Sequence, residues 1–183
     1  MREIQNKLVF FYWRKAAFLP NYLLMKILNL PACPFRLSEK KGKTYIYDSL
    51  RHKEVALTPE EWVRQHFVQF LISDRSYPPE RIAHEVCINV HSTSKRCDTV
   101  VYDDYLNPLV IIEYKAPEVN ITVEVFNQIA RYNFALRVPY LMVSNGMTHY
   151  CCRMDYEAMQ SLFLKEIPSY PAISTVASGQ ITK

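Results

Sequence analysis

An α/β fold, with a central mixed sheet flanked by helices, is what this sequence predicts on three observations. Strand-like runs follow one another closely at 82–90, 97–102 and 108–114. A capped amphipathic helix precedes them, starting after Thr58. A strand, a helix and a further strand then occur in that order at 108–114, 123–136 and 140–144, which requires a crossover connection and parallel pairing.

Along the chain, residues 1–34 read as an N-terminal extension of helical character. The run from Leu8 to Trp13 is apolar. Arg14, Lys15, Pro20 and Lys26 interrupt it before the roughly 20 residues that a bilayer span needs. The same charges break the apolar core of a signal peptide. A peripheral helix and a true start at Met25 are both open, and no membrane partner is expected. From Phe35 to Leu50 a short strand, a Lys41-Gly42 turn and a second strand at 44–48 make a hairpin. Thr58 is a helix cap, Pro59 takes the first helical position and Glu61 follows three residues after the cap. This helix should run to about Ser73 with Val63, Phe67, Phe70 and Leu71 inward.

Tyr77-Pro78-Pro79 closes that unit. A strand at 82–90, a polar turn at 91–96 and a strand at 97–102 come next, and Asp103-Asp104 to Asn107 turns the chain into 108–114. The latter is a branched apolar run of the kind found in strands buried on both faces. The 123–136 helix places Val125, Ile129, Tyr132 and Leu136 at helical spacing, and the 140–144 strand stops at Asn145-Gly146. Residues 149–153 read as an edge strand. The stretch 168–183 is rich in Ser, Pro, Thr and Ala and reads as a frayed tail. The organisation expected is therefore an extension at 1–34, one domain at 35–160 and a tail at 161–183.

With 183 residues the chain can bury one core without staples. Its five cysteines, Cys33, Cys87, Cys97, Cys151 and Cys152, form no C-x-x-C pair, which fits reduced thiols and a cytoplasmic location. A net charge of +4 permits a polyanionic partner without demanding one. The three glycines, Gly42, Gly146 and Gly179, lie in no phosphate-loop or dinucleotide-binding setting, so no nucleotide cofactor is expected.

The chemistry concentrates at Asp98, Glu113 and Lys115. In a strand, residues two apart face the same side, so Glu113 and Lys115 project together while Tyr114 points away. Charges at the end of a buried strand are costly unless paired or bound to an ion. Carboxylates delivered this way suit Mg²⁺ or Mn²⁺ and an activated water. A strand-end ion pair beside Pro117 would carry the same isolated E-x-K.

The order of the pieces adds what the triplet lacks. Asp98, then a strand bearing E-x-K, then a helix resembles the PD-(D/E)xK nuclease superfamily, whose fold is restriction-endonuclease-like. More narrowly, Thr58-Pro-Glu-Glu-Trp-Val-Arg64, Asp98-Thr-Val-Val-Tyr102, Pro108-Leu-Val-Ile-Ile-Glu-Tyr-Lys-Ala-Pro117, Gln128-Ile-Ala-Arg-Tyr132 and Val143-Ser-Asn-Gly146 are similar to the N-terminal domain of type I restriction enzyme R subunits. The resemblance covers roughly residues 35–155. It implies Asp98 and Glu113 as metal ligands, Lys115 as the catalytic lysine, and Mg²⁺ or Mn²⁺ as cofactor. Gln128 and Tyr132 match the family's Q-x-x-x-Y element, and on a helix they share one face, where they could contact a phosphate or base.

Glu61 matches the acidic residue that such nucleases often carry on the first helix to help bind metal, although its place in a capping box explains it without metal. Glu85 is a weaker candidate of the same kind, and His84 and His91 fall at strand ends rather than in a site. Cys97 stands where the superfamily has proline. The ATP-driven motor usual in R subunits is absent from these residues, so a standalone Mg²⁺-dependent DNA endonuclease, a hydrolase, is expected. It would act with DNA and as a homodimer or with partner subunits of a restriction or defence system. The alternative is a non-cleaving nucleic-acid-binding or interaction module with a nuclease-like fold.

Overall fold

The computed structural model describes residues 25–90 and 93–179. The expected hairpin is present as β1 (Leu37–Lys40) and β2 (Lys43–Asp48), which pair antiparallel across Lys41-Gly42. A third strand, β3 (Lys53–Ala56), adds to β2 with Ile46 opposite Val55. The sequence did not predict it, because Lys-Glu-Val-Ala has too little apolar content to signal a strand. Cross-strand partners hold it: Glu54 accepts from the Ser38 hydroxyl at 2.6 Å and pairs with Lys40.

Helix α1 (Pro59–Arg75) starts as expected, with Thr58 Oγ1 accepting the Glu61 N–H at 3.1 Å, and ends at Ser76 in the left-handed region. Every residue from Glu61 to Val68 is buried. A helix buried all round needs cover on two sides. One side is the main sheet. The other is the small sheet together with residues 25–35, since Leu28, Phe35 and Ile46 join the cluster built by Val63 and Phe67. The Trp62 indole donates to the Lys26 carbonyl at 3.2 Å. Residues 25–34, expected as part of an extension, are thus attached to the folded unit, while residues 1–24 and His91 lie outside the described residues.

The main sheet has six strands in chain order: β4 (Ile82–Val90), β5 (Thr93–Tyr102), β6 (Pro108–Tyr114), β7 (Tyr140–Ser144), β8 (His149–Asp155) and β9 (Gln160–Phe163). Among the described strands only β6 and β7 pair parallel, and α2 (Val123–Leu136) makes the crossover between them. The α/β fold with a central mixed sheet is as expected. Strand β5 begins at Thr93 rather than Cys97, because the polar residues read as a turn extend the β4–β5 hairpin, with Ser94 opposite Asn89. Polarity marked them as a turn, yet Ser94 and Arg96 are exposed, and an exposed strand position needs no apolar side chain. Strand β8 is interior, since β9 pairs beyond it.

Instead of a frayed tail, Tyr170–Gly179 forms helix α3. Its anchors Tyr170 and Ile173 are buried with Ile167, and the Tyr170 hydroxyl donates to the Tyr102 carbonyl at 3.2 Å. The Ser- and Ala-rich composition hid this i, i+3 series. Two cores result. Val110, Ile112, Tyr114 and Met142 pack towards α1, and Val100, Ile111, Leu141 and Val143 pack towards α2 against Phe126 and Ile129. Among the described residues no helix is long and apolar enough to cross a membrane.

The Asn145-Gly146 turn ties the end of β7 to the N-terminal segment. Asn145 Oδ1 accepts the Met147 and Thr148 N–H groups, and the Asn29 N–H donates to the Gly146 carbonyl at 2.8 Å. Gly146 has φ +79°, and a Cβ there would lie 2.6 Å from Leu28 Cδ2 and 3.1 Å from Val63 Cγ2. Gly42 has φ +72° but nothing within 4 Å of a Cβ. Gly42→Ala should therefore lose roughly 1–2 kcal/mol of backbone origin, and Gly146→Ala should lose more in chemical denaturation. Equal losses would contradict the packing of Leu28 on this turn.

Candidate active site

The candidate site lies where three strands of the main sheet part. Between β4 and β5 the ladder pairs His84 with Thr99 and Val86 with Cys97, omitting the pair between them, Glu85 and Asp98. Glu85 is left-handed, with φ 56°, in the middle of a strand. Such backbone strain in a non-glycine residue persists only where the surroundings enforce it. Between β5 and β6 the ladder stops at Thr99 opposite Ile112. The next amide facing β5, the Tyr114 N–H, donates to Asp98 Oδ2 at 3.0 Å. A side-chain carboxylate thus replaces a backbone carbonyl as the strands separate.

That one bond fastens Asp98 to the middle of Glu113-Tyr114-Lys115. The Tyr114 ring is buried on the α1 side, 6.1 Å from the Phe67 ring, so strand alternation puts Glu113 and Lys115 on the Ile111 face. The Lys115 N–H donates to the Ser144 carbonyl at 2.9 Å, tying the strand end to β7. The other expected pair lies on α2. Gln128 is exposed on α2, and Tyr132 lies one turn later on the same helix, with its side chain outside the described ones.

On the α1 side of Asp98 lies a network of acids and arginines. Glu61 Oε1 accepts from Arg51 Nη2 at 2.7 Å and Gln65 Nε2 at 2.7 Å, and Glu61 Oε2 accepts from Arg64 Nη1 at 3.0 Å. Its backbone is capped as expected, but its carboxylate is held by guanidinium groups. Arg64 Nη2 reaches Asp98 Oδ1 at 3.4 Å. Glu85 pairs with Arg96 at 2.9 Å and Arg51 at 3.4 Å.

Asp48 accepts from Arg51 Nε at 2.5 Å, Gln65 Nε2 at 2.9 Å and two backbone N–H groups. Burial pushes the Asp48 carboxyl up, but the Arg51 backbone N–H and guanidinium outweigh it and hold the group below the usual carboxylate range. Burial also pushes Glu85 up, and the charge of Arg51 with the Arg96 hydrogen bond brings it below its ordinary value.

His84, expected at a strand end away from any site, is instead the third residue of β4 and sits beneath this network. Its Nδ1 is 2.8 Å from Thr99 Oγ1 and its Nε2 is 3.8 Å from Asp48 Oδ2. Burial, with Arg51 and Arg64 nearby, lowers it to about 4 against the pull of Asp48. Sequence reasoning missed Arg51, Arg64, Gln65 and Asp48. Glu61, Arg64 and Gln65 stand at i, i+3 and i+4 on α1, a polar stripe among apolar positions that could have signalled them. Asp48 ends β2 and Arg51 lies in the turn after it, and neither carries such a signal.

Carboxylate oxygens such as those of Asp98 and Glu113 are the donor type that a divalent cation of the Mg²⁺ class takes. Among the described residues Asp98 Oδ1 is met by Arg64 Nη2 at 3.4 Å, longer than the 2.7–2.9 Å usual between charged groups, so this contact leaves it coordinating capacity. Among the described residues no three or more His, Cys, Asp or Glu side chains are grouped to hold a metal ion. Two carboxylates completed by water and phosphate oxygens are a typical Mg²⁺ set, whereas a structural zinc site needs four protein ligands.

An α/β domain whose mixed sheet parts at Asp98, beside the end of the strand that carries Glu113 and Lys115, is the class that this architecture defines. The family described as Type I restriction enzyme R protein N terminus (HSDR_N) matches residues 59–168, more than half of the chain, and the chain belongs to that family. Among solved structures it is similar to a fragment described as an HsdR subunit of a type I restriction enzyme from Vibrio vulnificus YJ016. That pair shares 18% identity over 67% of this chain and 26% of the other, with a TM-score of 0.48. The chain thus spans about a quarter of that solved fragment. No curated protein matches.

The buried histidines give the domain an acid-labile core. His66, with Nδ1 3.0 Å from the Trp62 carbonyl, is also held at about 4 by burial. The unfolded chain takes up protons near 6.5, before the folded one. The histidine contribution is therefore complete above that pH and is lost as pH falls towards 4, by up to about 3 kcal/mol for each histidine. Urea melts between pH 7.5 and 4 should show this fall, and His66→Phe should remove its share. A slope unchanged in His66→Phe would contradict the assignment.

Proposed function

We propose that this chain is a PD-(D/E)xK nuclease domain that hydrolyses phosphodiester bonds of DNA with Mg²⁺ or Mn²⁺, as part of a restriction system. The observation that carries the reading is the 3.0 Å bond from the Tyr114 amide to Asp98, which brings Asp98 to the strand end bearing Glu113 and Lys115. Family membership supports it independently. Asp98 and Glu113 would hold the cation, with Glu61 bound to arginines behind them.

When bound, the cation supplies a more acidic coordinated water and neutralises charge on the phosphate. Lys115 shares the Glu113 face, where its ammonium group orients the attacking water towards phosphorus and donates to a phosphate oxygen. The Tyr114 amide holds Asp98 in one rotamer, keeping the acid from turning away. Gln128 and Tyr132 would contact the DNA from α2. A second copy or partner subunits of the restriction system would supply the second cut of a duplex.

The non-cleaving alternative draws on the same site, because Arg64 already lies against Asp98. Incubating the purified protein with plasmid and linear DNA plus Mg²⁺ or Mn²⁺ separates the readings. Cleavage should fall by about 10²-fold or more in Asp98→Ala and in Lys115→Ala, and cleavage that persists in either variant would refute the nuclease reading. Mn²⁺ should raise the melting temperature of the native protein and leave Glu113→Gln unshifted.

A further inference from the structure

Arg64 is placed unlike an ordinary ion-pair partner. It is buried, at 7% exposure, and its Nε lies in the interior with no hydrogen-bond acceptor. Its remaining nitrogens fan out among three carboxylates, at 3.0 Å from Glu61, 3.4 Å from Asp98 and 3.8 Å from Glu85. The guanidinium also stands 5.6 Å from the centre of the Tyr114 ring. Only the Glu61 contact has normal hydrogen-bond length.

Glu61 therefore acts as the hinge of the group, itself fixed by Arg51 and Gln65. From that hinge, Arg64 can lean to Asp98 on one side or to Glu85 on the other. The strained φ of 56° at Glu85 has a role here, because it helps present the carboxylate to the arginines rather than along the ordinary strand alternation.

We infer that Arg64 is a positioning residue that gates the cation site: it covers Asp98 Oδ1 in the cation-free protein and yields that oxygen by moving onto Glu85 when a divalent cation binds. This rests on the nuclease reading, in which Asp98 is a ligand. Arginine and cation compete for one oxygen because both bring positive charge to it and two cations repel at that separation. Glu85 is the alternative seat that makes the exchange possible without leaving Nη2 of the buried guanidinium, which stays bonded to Glu61 through Nη1, short of an acceptor. The gate covers the Asp98 oxygen until metal arrives.

The test is Mn²⁺ affinity, measured by isothermal titration on the full chain for the native protein, Arg64→Gln, Glu85→Gln and the double variant. Removing Arg64 should tighten Mn²⁺ binding by about tenfold, and removing Glu85 should weaken it. The decisive comparison is the cycle. If Glu85 acts by receiving Arg64, Glu85→Gln has no effect in the Arg64→Gln background. If it acts only by its charge, the same loss appears in both backgrounds, and the gate is overturned.

Arg64→Lys covers the case in which Arg64→Gln does not fold, since it keeps the charge but cannot span Glu61 and Asp98 together. It should bind Mn²⁺ several-fold more tightly, and unchanged affinity overturns the gate. Glu113→Gln separates the two levels of the argument. Binding that Glu113→Gln abolishes, together with additive cycle energies, refutes the gate alone. Absence of Mn²⁺ binding in every protein refutes the metal reading and the gate with it.

Discussion

The hydrogen bond from the Tyr114 amide to the Asp98 carboxylate is the interaction on which the arrangement depends. A sheet whose strands pair throughout has no room for a site, and a sheet whose strands part leaves buried amides that need acceptors. Here β5 and β6 separate after the Thr99–Ile112 pair, and Asp98 supplies the acceptor. The same bond does two things. It satisfies the backbone where the ladder ends, and it sets an acid beside the strand that carries Glu113 and Lys115.

Around that bond the molecule balances charge with unusual care for a buried region. Helix α1 is covered on both sides, yet it carries Glu61, Arg64 and Gln65 into the interior. Isolated ions there would cost several kcal/mol each. Arg51 offsets this by linking Asp48, Glu61 and Glu85, which joins the small sheet, α1 and β4 into one network. The small sheet is therefore more than a cover for α1, since the turn after β2 positions the charges behind Asp98.

What the sequence shows plainly is the part governed by local signals. Thr58, Pro59 and Glu61 mark the start of α1 because capping chemistry is local, and 108–114 reads as a buried strand because both faces demand branched apolar residues. The crossover through α2 follows from chain order. The extra strands β3 and β9 and helix α3 are held by partners distant in sequence, and their own residues say little: Lys53–Ala56 is half charged, and the 168–183 stretch is rich in small side chains around two anchors, Tyr170 and Ile173. In the candidate site, the nearness of Asp98 to the strand end that carries Glu113 and Lys115 was legible from spacing together with the family resemblance. Arg51 was not, because its contacts cross from a turn to a helix and another strand. Nor was the strain at Glu85, which exists only once β4 and β5 are paired.

The central claim is that the junction of Asp98 with the Glu113 strand is a cation site, and Asp98→Asn tests it most directly. The substitution keeps an oxygen acceptor for the Tyr114 amide, so the strand junction is retained while the charge is removed. Calorimetric titration should show Mn²⁺ binding to the native protein and binding weaker by about tenfold or more in Asp98→Asn, with melting temperatures in the absence of metal that stay close. Equal Mn²⁺ affinity in the two proteins would contradict the account.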